Sequence, residues 1–508
     1  MKTPGATRKA SALLLILMAA WLIPTAFAQT ITASLAGTVR DPSGAVVPGA
    51  KVQVVNTATN ATRSLETGPD GRFVAPSLPP GSYSVIVTAA GFKRAERAGI
   101  ELRVNQAAEI EVIMEVGGVT ETVEITAEPP LLDTASAGVG HVIGTQSIVN
   151  LPLNQRNPYA LVFLVPGVVG NVGFYFNNVN IAINGGRPGA NEILVDGIPS
   201  SPPLVNPILG YSVFPCVDAV QEFKVQTSSY SAEFGRTAGG IINLIYKSGT
   251  NALHGSLFEF LRNSKLDANN FFSNARGIPL SSFKRHQFGA SAGGPLLIPG
   301  LYDGRNRTFF FVAYEGLRQG AATSLLTTVP TASERVGDFS KTRSAAGTPI
   351  AIYDPETTTR LGAGYVRQAF PGNVIPAFRI DPVARNVVKY YPLPNQPGDP
   401  ISGALNFAAS GTAPTNTDQL DIKADENLND RNRFFVRYSH RKFAMLPTDL
   451  LPPESRVADP WPPESNEQIF NNAAFDYTLT SGPSFLMGFR YGFGRTLVNL
   501  VPRGFGFD

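Results

Sequence analysis

The chain has 508 residues, of which 43% are hydrophobic and only 16% charged, with 49 glycines and 41 prolines. That balance excludes a coiled coil, a long helical bundle and a highly charged disordered chain. A formal charge of +3 excludes a strong nucleic-acid-binding field, and 32 Phe with 15 Tyr among many turn formers point to a β protein.

Residues 1–28 read as a secretory signal peptide. Lys2, Arg8 and Lys9 give a basic start, residues 11–23 are almost wholly apolar, and Ala26-Phe27-Ala28 forms an A-x-A cleavage site. The apolar run is short for the ~20 residues that a bilayer core requires, and no run of about 18 apolar residues follows. The mature chain has one cysteine, Cys216, which excludes an internal disulfide and any CxxC pair. His141, His254, His286 and His440 are scattered without HExxH spacing, and neither a Walker A motif nor a GxSxG elbow is present. The expectation is a protein that is not an enzyme, with no cofactor and no metal, in which Cys216 is a small packed residue.

Residues 29–116 read as short strands joined by regular turns. Turns fall at Asp41-Pro42-Ser43-Gly44, Asp70-Gly71 and Pro79-Pro80-Gly81, and Tyr83, Val85 and Val87 alternate with their neighbours. This spacing predicts a small β-sandwich. Gly37-Thr38-Val39, Pro48-Gly49-Ala50, Asp70-Gly71-x-Phe73, Pro80-Gly81-x-Tyr83 and Gly91-Phe92 resemble the carboxypeptidase regulatory-like domain, a transthyretin-like sandwich. The resemblance implies no protease; it leaves open a docking module or a stable spacer.

Residues 117–130 read as a linker. Gly117-Gly118 ends the sandwich, residues 119–127 alternate apolar and polar, and Pro129-Pro130 isolates the segment. An extended segment of this kind adds to another protein's sheet edge through main-chain hydrogen bonds. Thr122, Val123, Glu124, Ile125, Thr126 and Ala127 look like a TonB box, the peptide through which a TonB-type energy-coupling protein acts.

Residues 131–250 carry "LPLNQRNPYALVFLVPGV", "INGGRPGANEILVDGIP" and "VQEFKVQTSSYSAEFGRTAGGIINLIYKSGTN" in that order. Residues 193–197 read as a short buried strand ending in a turn, and residues 241–245 as another strand. The series resembles the plug domain of TonB-dependent transporters, in particular the Oar-like group with a regulatory-like domain in front. The resemblance implies that plug arginines pair with carboxylates on the barrel wall and hold the plug. Arg187 and Arg236 are the plug candidates, and Glu259 and Glu315 the wall candidates, for plug–barrel gating.

Residues 251–508 alternate at period two. Strands are expected near 252–263, 284–294, 307–318, 416–427, 432–442, 468–480 and 484–498. Ser256, Phe258 and Phe260 are read as opposing Leu257 and Glu259, with Glu259 inward. In the later strands Phe310, Val312 and Tyr314 oppose Glu315, and Leu420, Ile422 and Ala424 oppose Gln419, Asp421 and Lys423. Apolar faces toward lipid and polar faces toward a lumen, with long and short connections alternating, predict a transmembrane β-barrel. Seven strands are about a third of the roughly 22 that such a transporter's barrel contains, so the sequence is read as a fragment of a longer one.

The expected fold class is therefore mainly β: an N-terminal transthyretin-like β-sandwich, an α+β plug domain and a partial antiparallel transmembrane β-barrel. The expected function is an outer-membrane receptor and transporter that binds an extracellular ligand and imports it using inner-membrane energy. The alternative is a surface-binding or adhesion protein without active transport. The expected partners are a TonB-type coupling protein, outer-membrane lipid and an extracellular ligand, with a large organic or oligomeric one favoured; no nucleic acid is expected.

Overall fold

Period-two alternation is realised as strand through most of the chain. The computed structural model describes residues 32–118, 122–126, 139–154, 156–172, 179–200, 214–230, 234–235, 237–275, 280–446, 448–452, 455, 465–481 and 485–501. The expected signal peptide, Ala127 and Arg236 lie outside these residues.

The N-terminal sandwich contains β1 (Ala33–Arg40), β2 (Lys51–Asn56), β3 (Thr62–Glu66), β4 (Arg72–Leu78), β5 (Gly81–Thr88), β6 (Arg94–Leu102) and β7 (Ala107–Ile113). One sheet has the order β4-β1-β7; the other is β3-β2-β5-β6, with β8 (Thr122–Thr126) added at its edge. Alternate residues Leu35, Val39, Val52, Val54, Val85, Val87, Ile110 and Val112 are buried between the sheets, as two-sheet packing requires. Asp41 fixes the first turn by accepting from the Ser43 and Ala45 amides at 2.9 Å, an Asx turn. The Tyr83 hydroxyl donates to the Pro79 carbonyl at 2.8 Å and pins the entry to β5. Gly37 is required by packing, because a Cβ there would lie 2.5 Å from the Phe73 ring.

The next unit has β9 (Val139–Gly144), β10 (Val168–Val172), β11 (Val179–Ile183), β12 (Glu192–Val195), β13 (Ile198–Pro199), β14 (Val220–Ser228) and β15 (Ile241–Tyr246). Its main sheet, β13-β12-β15-β14-β9, is mixed: β12 and β15 are parallel, and the other pairs antiparallel. A helix over Thr145–Asn150 and a 3-10 segment over Pro158–Leu164 cover it. All six residues of β15 and all four of β12 are buried.

The third unit is a seven-stranded antiparallel sheet, hereafter the wall. Its order follows the chain: β16 (His254–Asn263), β17 (Phe283–Pro295), β20 (Thr308–Thr327), β23 (Phe407–Asn429), β24 (Asn432–Met445), β25 (Ser465–Thr480) and β26 (Leu486–Val501). Two small hairpins, β18 (Leu297–Ile298) with β19 (Tyr302–Asp303) and β21 (Thr359–Leu361) with β22 (Gly364–Val366), lie in the connections. The turn between β23 and β24 is two residues long, whereas β20 and β23 are joined through residues 328–406. β20 and β23 run 20 and 23 residues. About half of that length suffices to cross a bilayer, so the hairpin carries residues 328–406 well away from it. Among the described residues the outer edges of β16 and β26 are unpaired, leaving an open arc, and no helix is long and apolar enough to cross a membrane.

The mixed-sheet unit fills the concave side of this arc in the position of a plug. Phe311 and Ala313 of β20 reach into its core beside Tyr159, Phe214, Phe223 and Tyr246. Residues on the opposite face, such as Ile422, Val436 and Tyr438, remain exposed, as a lipid-facing surface requires.

The first wall strand reverses the expected faces. Phe258 lies opposite Gly289, which lies opposite Glu315, so all three share the inner face. Leu257, Glu259 and Leu261 are on the outer face and exposed. The aromatic residues turn inward because a plug arginine stacks on them, as described below.

Replacing Gly37 by Ala should destabilise the sandwich by ~1–3 kcal/mol, the usual cost of overpacking a filled core. Urea-dependent proteolysis of the sandwich in the full chain measures this, and adding Phe73→Leu should recover most of the loss.

Candidate functional site

The plug meets the wall through two charged clusters, each built on a plug residue with positive φ. The first is Asp196. β12 and β13 form a hairpin with Val195 opposite Ile198, so Asp196 and Gly197 are its two turn residues, with φ of 48° and 70°. Asp-Gly suits this turn, which needs positive φ at both positions. The turn delivers a fully buried carboxylate to the wall. Its Oδ2 lies 2.9 Å from Arg437 Nε, an ion pair with an angle outside that of a hydrogen bond, and Oδ1 lies 3.4 Å from Lys423 Nζ.

Period two builds the wall's half of this cluster. Gln419, Asp421 and Lys423 share the inner face of β23, abreast of Arg441, Ser439 and Arg437 on β24. Asp421 accepts from the Tyr246 hydroxyl at 2.9 Å and from the Cys216 amide at 3.2 Å. Gln419 donates to the Phe214 carbonyl. Arg437 also donates to Ser439 and Asn472, at 2.9 and 2.6 Å, and stacks 4.8 Å from the Tyr246 ring centre. Two carboxylates and two cations thus balance in a buried network. Burial, reinforced by Asp421, pushes the Cys216 thiol well up, so it is a neutral packed side chain.

The second cluster is centred on Arg156, φ 47°. It precedes Asn157-Pro158, where proline starts the 3-10 turn and the Asn157 side chain accepts from the Tyr159 amide at 3.0 Å. Arg156 lies 2.5 Å from Asp218 of the plug and 3.5 Å from Glu315 of the wall. Its guanidinium sits 4.0 and 5.0 Å from the ring centres of Phe258 and Phe260. Glu315 also accepts from Gln287 at 2.6 Å, and Asp218 from Ser256 at 3.2 Å. Gly289 leaves room for Phe258, since a Cβ there would fall 2.5 Å from that ring.

Of the three gating candidates among the described residues, the structure brings only Glu315 to the plug–wall contact. Glu259 instead pairs with His286 at 2.8 Å on the outer face, because the β16 register turns it outward. Arg187 stands exposed in the turn leading to β12, and among the described residues no ion pair joins it. Arg236 lies outside the described residues. The arginine that joins Glu315 is Arg156, which sequence reasoning missed along with Asp196, Asp218, Lys423 and Arg437. The available signals were the Asp-Gly turn and the charges alternating with Leu420, Ile422 and Ala424.

Thr122, Val123, Glu124, Ile125 and Thr126 form β8, paired in parallel with β6 from Arg94 opposite Thr122 to Ala98 opposite Thr126. The turn after β6, residues 103–106, docks under the plug. Val104 is fully buried against Ile198, Ile245, Phe435 and Ala474. Its amide donates to Glu222 at 2.5 Å, while Lys224 and Asn243 donate to Asn105 at 2.9 Å. Burial pushes the Glu222 carboxyl up to about 7, against the Val104 amide and the charges of Arg103 and Lys224, with Glu101 adding to the rise. Among the described residues no group of three or more His, Cys, Asp and Glu could hold a metal ion.

An antiparallel wall with a lipid-type outer face and a folded unit pinned by charge to its concave side fits the outer-membrane β-barrel class. The chain belongs to the family described as outer membrane beta barrel domain, which matches residues 245–508; a carboxypeptidase regulatory-like domain matches residues 34–115. The chain is 29% identical over 304 residues to the TonB-dependent transporter Oar of Myxococcus xanthus, covering 57% of this chain and 27% of that protein. Among solved structures it is similar to the outer membrane transporter YddB of Escherichia coli (13% identity, 70% of this chain and 38% of that one, TM-score 0.43). It is also similar to the ferric enterobactin receptor PfeA of Pseudomonas aeruginosa (15%, 71% and 41%, TM-score 0.38). These superpositions are partial, and the outer-membrane assignment rests on the family match and the wall itself.

Asp196→Ala removes the carboxylate that faces both Arg437 and Lys423 and leaves those two cations buried. Removing one partner of such a network costs ~3–5 kcal/mol, so the plug should become protease-sensitive at lower urea in outer-membrane preparations, with the wall unaffected. Glu222 gives a pH test. Its carboxyl binds a proton more tightly when the turn is docked, so docking is strongest below its unperturbed value of 4.5 and weakens as pH rises toward about 7. Hydrogen-exchange protection of residues 103–106, corrected for intrinsic rates, should fall from pH 5 to pH 8, and Glu222→Gln should flatten the dependence.

Proposed function

We propose that this chain belongs to an outer-membrane transporter that binds an extracellular ligand and imports it into the periplasm with inner-membrane energy. The observation that carries this reading is the plug held inside the wall by the buried Asp196, Lys423 and Arg437 cluster. A passage blocked by desolvated ion pairs does not open without work. A TonB-type coupling protein, acting through residues 122–127, supplies that work in this reading, and the named relative is itself a TonB-dependent transporter.

Residues 328–406 bear on the ligand. They fold as a cap in which Arg379 pairs bidentately with Asp354, at 2.6 and 3.2 Å, and Asn406 joins both main-chain groups of Val329, at 2.8 and 3.0 Å. Tyr353, Tyr365 and Phe378 stand exposed on it, a surface suited to a large organic or oligomeric ligand. The same cap favours a second reading, surface binding or adhesion without transport.

Deleting residues 121–127 from the full-length protein separates the two. With a panel of labelled ferric chelates, cobalamin, oligosaccharides and peptides on intact cells, the deletion should abolish uptake and leave surface binding unchanged. Unchanged uptake would sink the coupling claim, and binding without any energy-dependent accumulation in the parent would favour adhesion.

A further inference from the structure

We propose that the space between the N-terminal sandwich, the plug and the wall binds a small organic acid, whose carboxylate sits between Arg63 of the sandwich and Arg433 of the wall. The site stands apart from the transport reading. It lies at the end of the wall that carries the two-residue turn between β23 and β24, away from residues 328–406.

Hydrogen bonds seat the sandwich at this end. Asn60 donates to the Asn306 side chain and the Asn251 amide to the Ala58 carbonyl, both at 2.9 Å, and Gln221 donates to the Pro80 carbonyl at 3.2 Å. The seated units leave between them a cavity of about 620 Å³, within the range of ~300–1,000 Å³ usual for small-molecule sites. Its lining is mixed: Val54, Ile245 and Phe434 are apolar, while Arg63, Arg433 and Asp425 bring charge.

Period two delivers both arginines. Arg63 shares a face of β3 with Leu65, which packs on the sandwich core. Arg433 shares the inner face of β24 with Phe435 and Arg437. Neither has a counter-ion. Arg63 Nη1 is buried and unbonded, and among the described residues no hydrogen bond or ion pair joins either arginine. Asp430 acts on Arg63 only through space. Asp476, which faces Arg433, is taken up by Arg490 at 2.6 Å. Burial and the Arg433 charge hold the Arg63 guanidinium below its usual range, as two cations facing one another across a desolvated space require. An inward charge on an edge strand also discourages edge pairing, but that role calls for neither a second arginine nor a cavity.

An anion between the two relieves their repulsion and supplies the acceptors that they lack. A carboxylate fits best, because its two oxygens match the planar fork of a guanidinium. Asp425 Oδ2 is buried and unbonded at the same cavity, so it accepts from a hydroxyl or ammonium group on the same molecule. The apolar lining takes a short carbon chain. A bare inorganic anion would leave Asp425 unmatched. The ligand class is therefore a small hydroxy or amino acid. With one arginine on each unit, its binding also ties the sandwich to the wall.

The test uses the full-length protein in outer-membrane preparations, with malate and glutamate as probes and sodium chloride of equal ionic strength as the control. Hydrogen exchange of residues 57–63 reads whether the sandwich is seated. At least one of the two acids should slow it saturably. No slowing by either overturns the proposal, and so does equal slowing by sodium chloride, which would be mere screening of two like charges. Arg63→Gln and Arg433→Gln should each leave exchange without acid unchanged or slower, since a repulsion is removed. Each should raise the half-saturating concentration about tenfold or more, the loss of one charge-assisted contact. An unchanged half-saturating concentration overturns the site. Faster exchange without acid in Arg433→Gln, a change outside the sandwich, would show that the arginines hold the units together unaided, and overturns it too.

Discussion

The main-chain ladder of the wall is the constraint on which the rest of the molecule depends. In hydrocarbon every N–H and C=O must be paired between strands, and a ladder at period two gives each strand one lipid face and one inner face. From β20 to β24 the register is unbroken across the span that meets the plug. Lys423, Asp421 and Gln419 are therefore stacked in one inner column, with Arg437, Ser439 and Arg441 beside them. None of these charges can turn outward without moving Leu420, Ile422, Val436 and Tyr438 inward. The wall thus presents buried charge toward whatever lies inside it. Asp196 provides a carboxylate for Arg437 and Lys423, and Tyr246 and the Cys216 amide satisfy Asp421. The plug is an electrostatic complement of the wall as well as a filler of its concave side.

Much of this was legible in the sequence because period two is a local signal. The wall strands lie where alternation of residues such as Phe310, Val312 and Tyr314 predicts them, and most are longer than expected. Longer strands follow from the β20–β23 hairpin, whose outer half continues pairing past the alternating region. Strand β16 was misread for a physical reason. "SLFEFL" alternates equally well with either face apolar, so sequence alone does not choose. Tertiary contact decides: Gly289 opposite Phe258 opens space on the inner face, and Arg156 stacks into it. That choice sends Glu259 out to His286.

The plug–wall partners were less legible because they depend on backbone geometry and on separation in sequence. Arg187 and Arg236 drew attention through neighbouring glycines, a mark of turns. The residues that reach the wall are instead Arg156 and Asp196, non-glycine residues with positive φ. Such conformations cost of order 1–3 kcal/mol and persist where the surroundings over-determine them. Here Asn157-Pro158 on one side and the Asp196-Gly197 hairpin on the other impose them. Arg156 meets a residue 159 positions away and Asp196 one 227 positions away, and no local pattern announces such pairs.

The sandwich gains its significance from where β6 begins and ends. Its outer edge binds β8 through main-chain bonds, and its last residues lead to a turn whose Val104 is as buried as any core residue. These two attachments differ in kind. The β8 pairing is five residues of edge ladder, which peels one bond at a time under a pull along the chain. The turn is held all at once, by an apolar contact with Ile198, Ile245 and Phe435 and by hydrogen bonds to Glu222, Lys224 and Asn243. The turn is therefore the more cooperative of the two attachments.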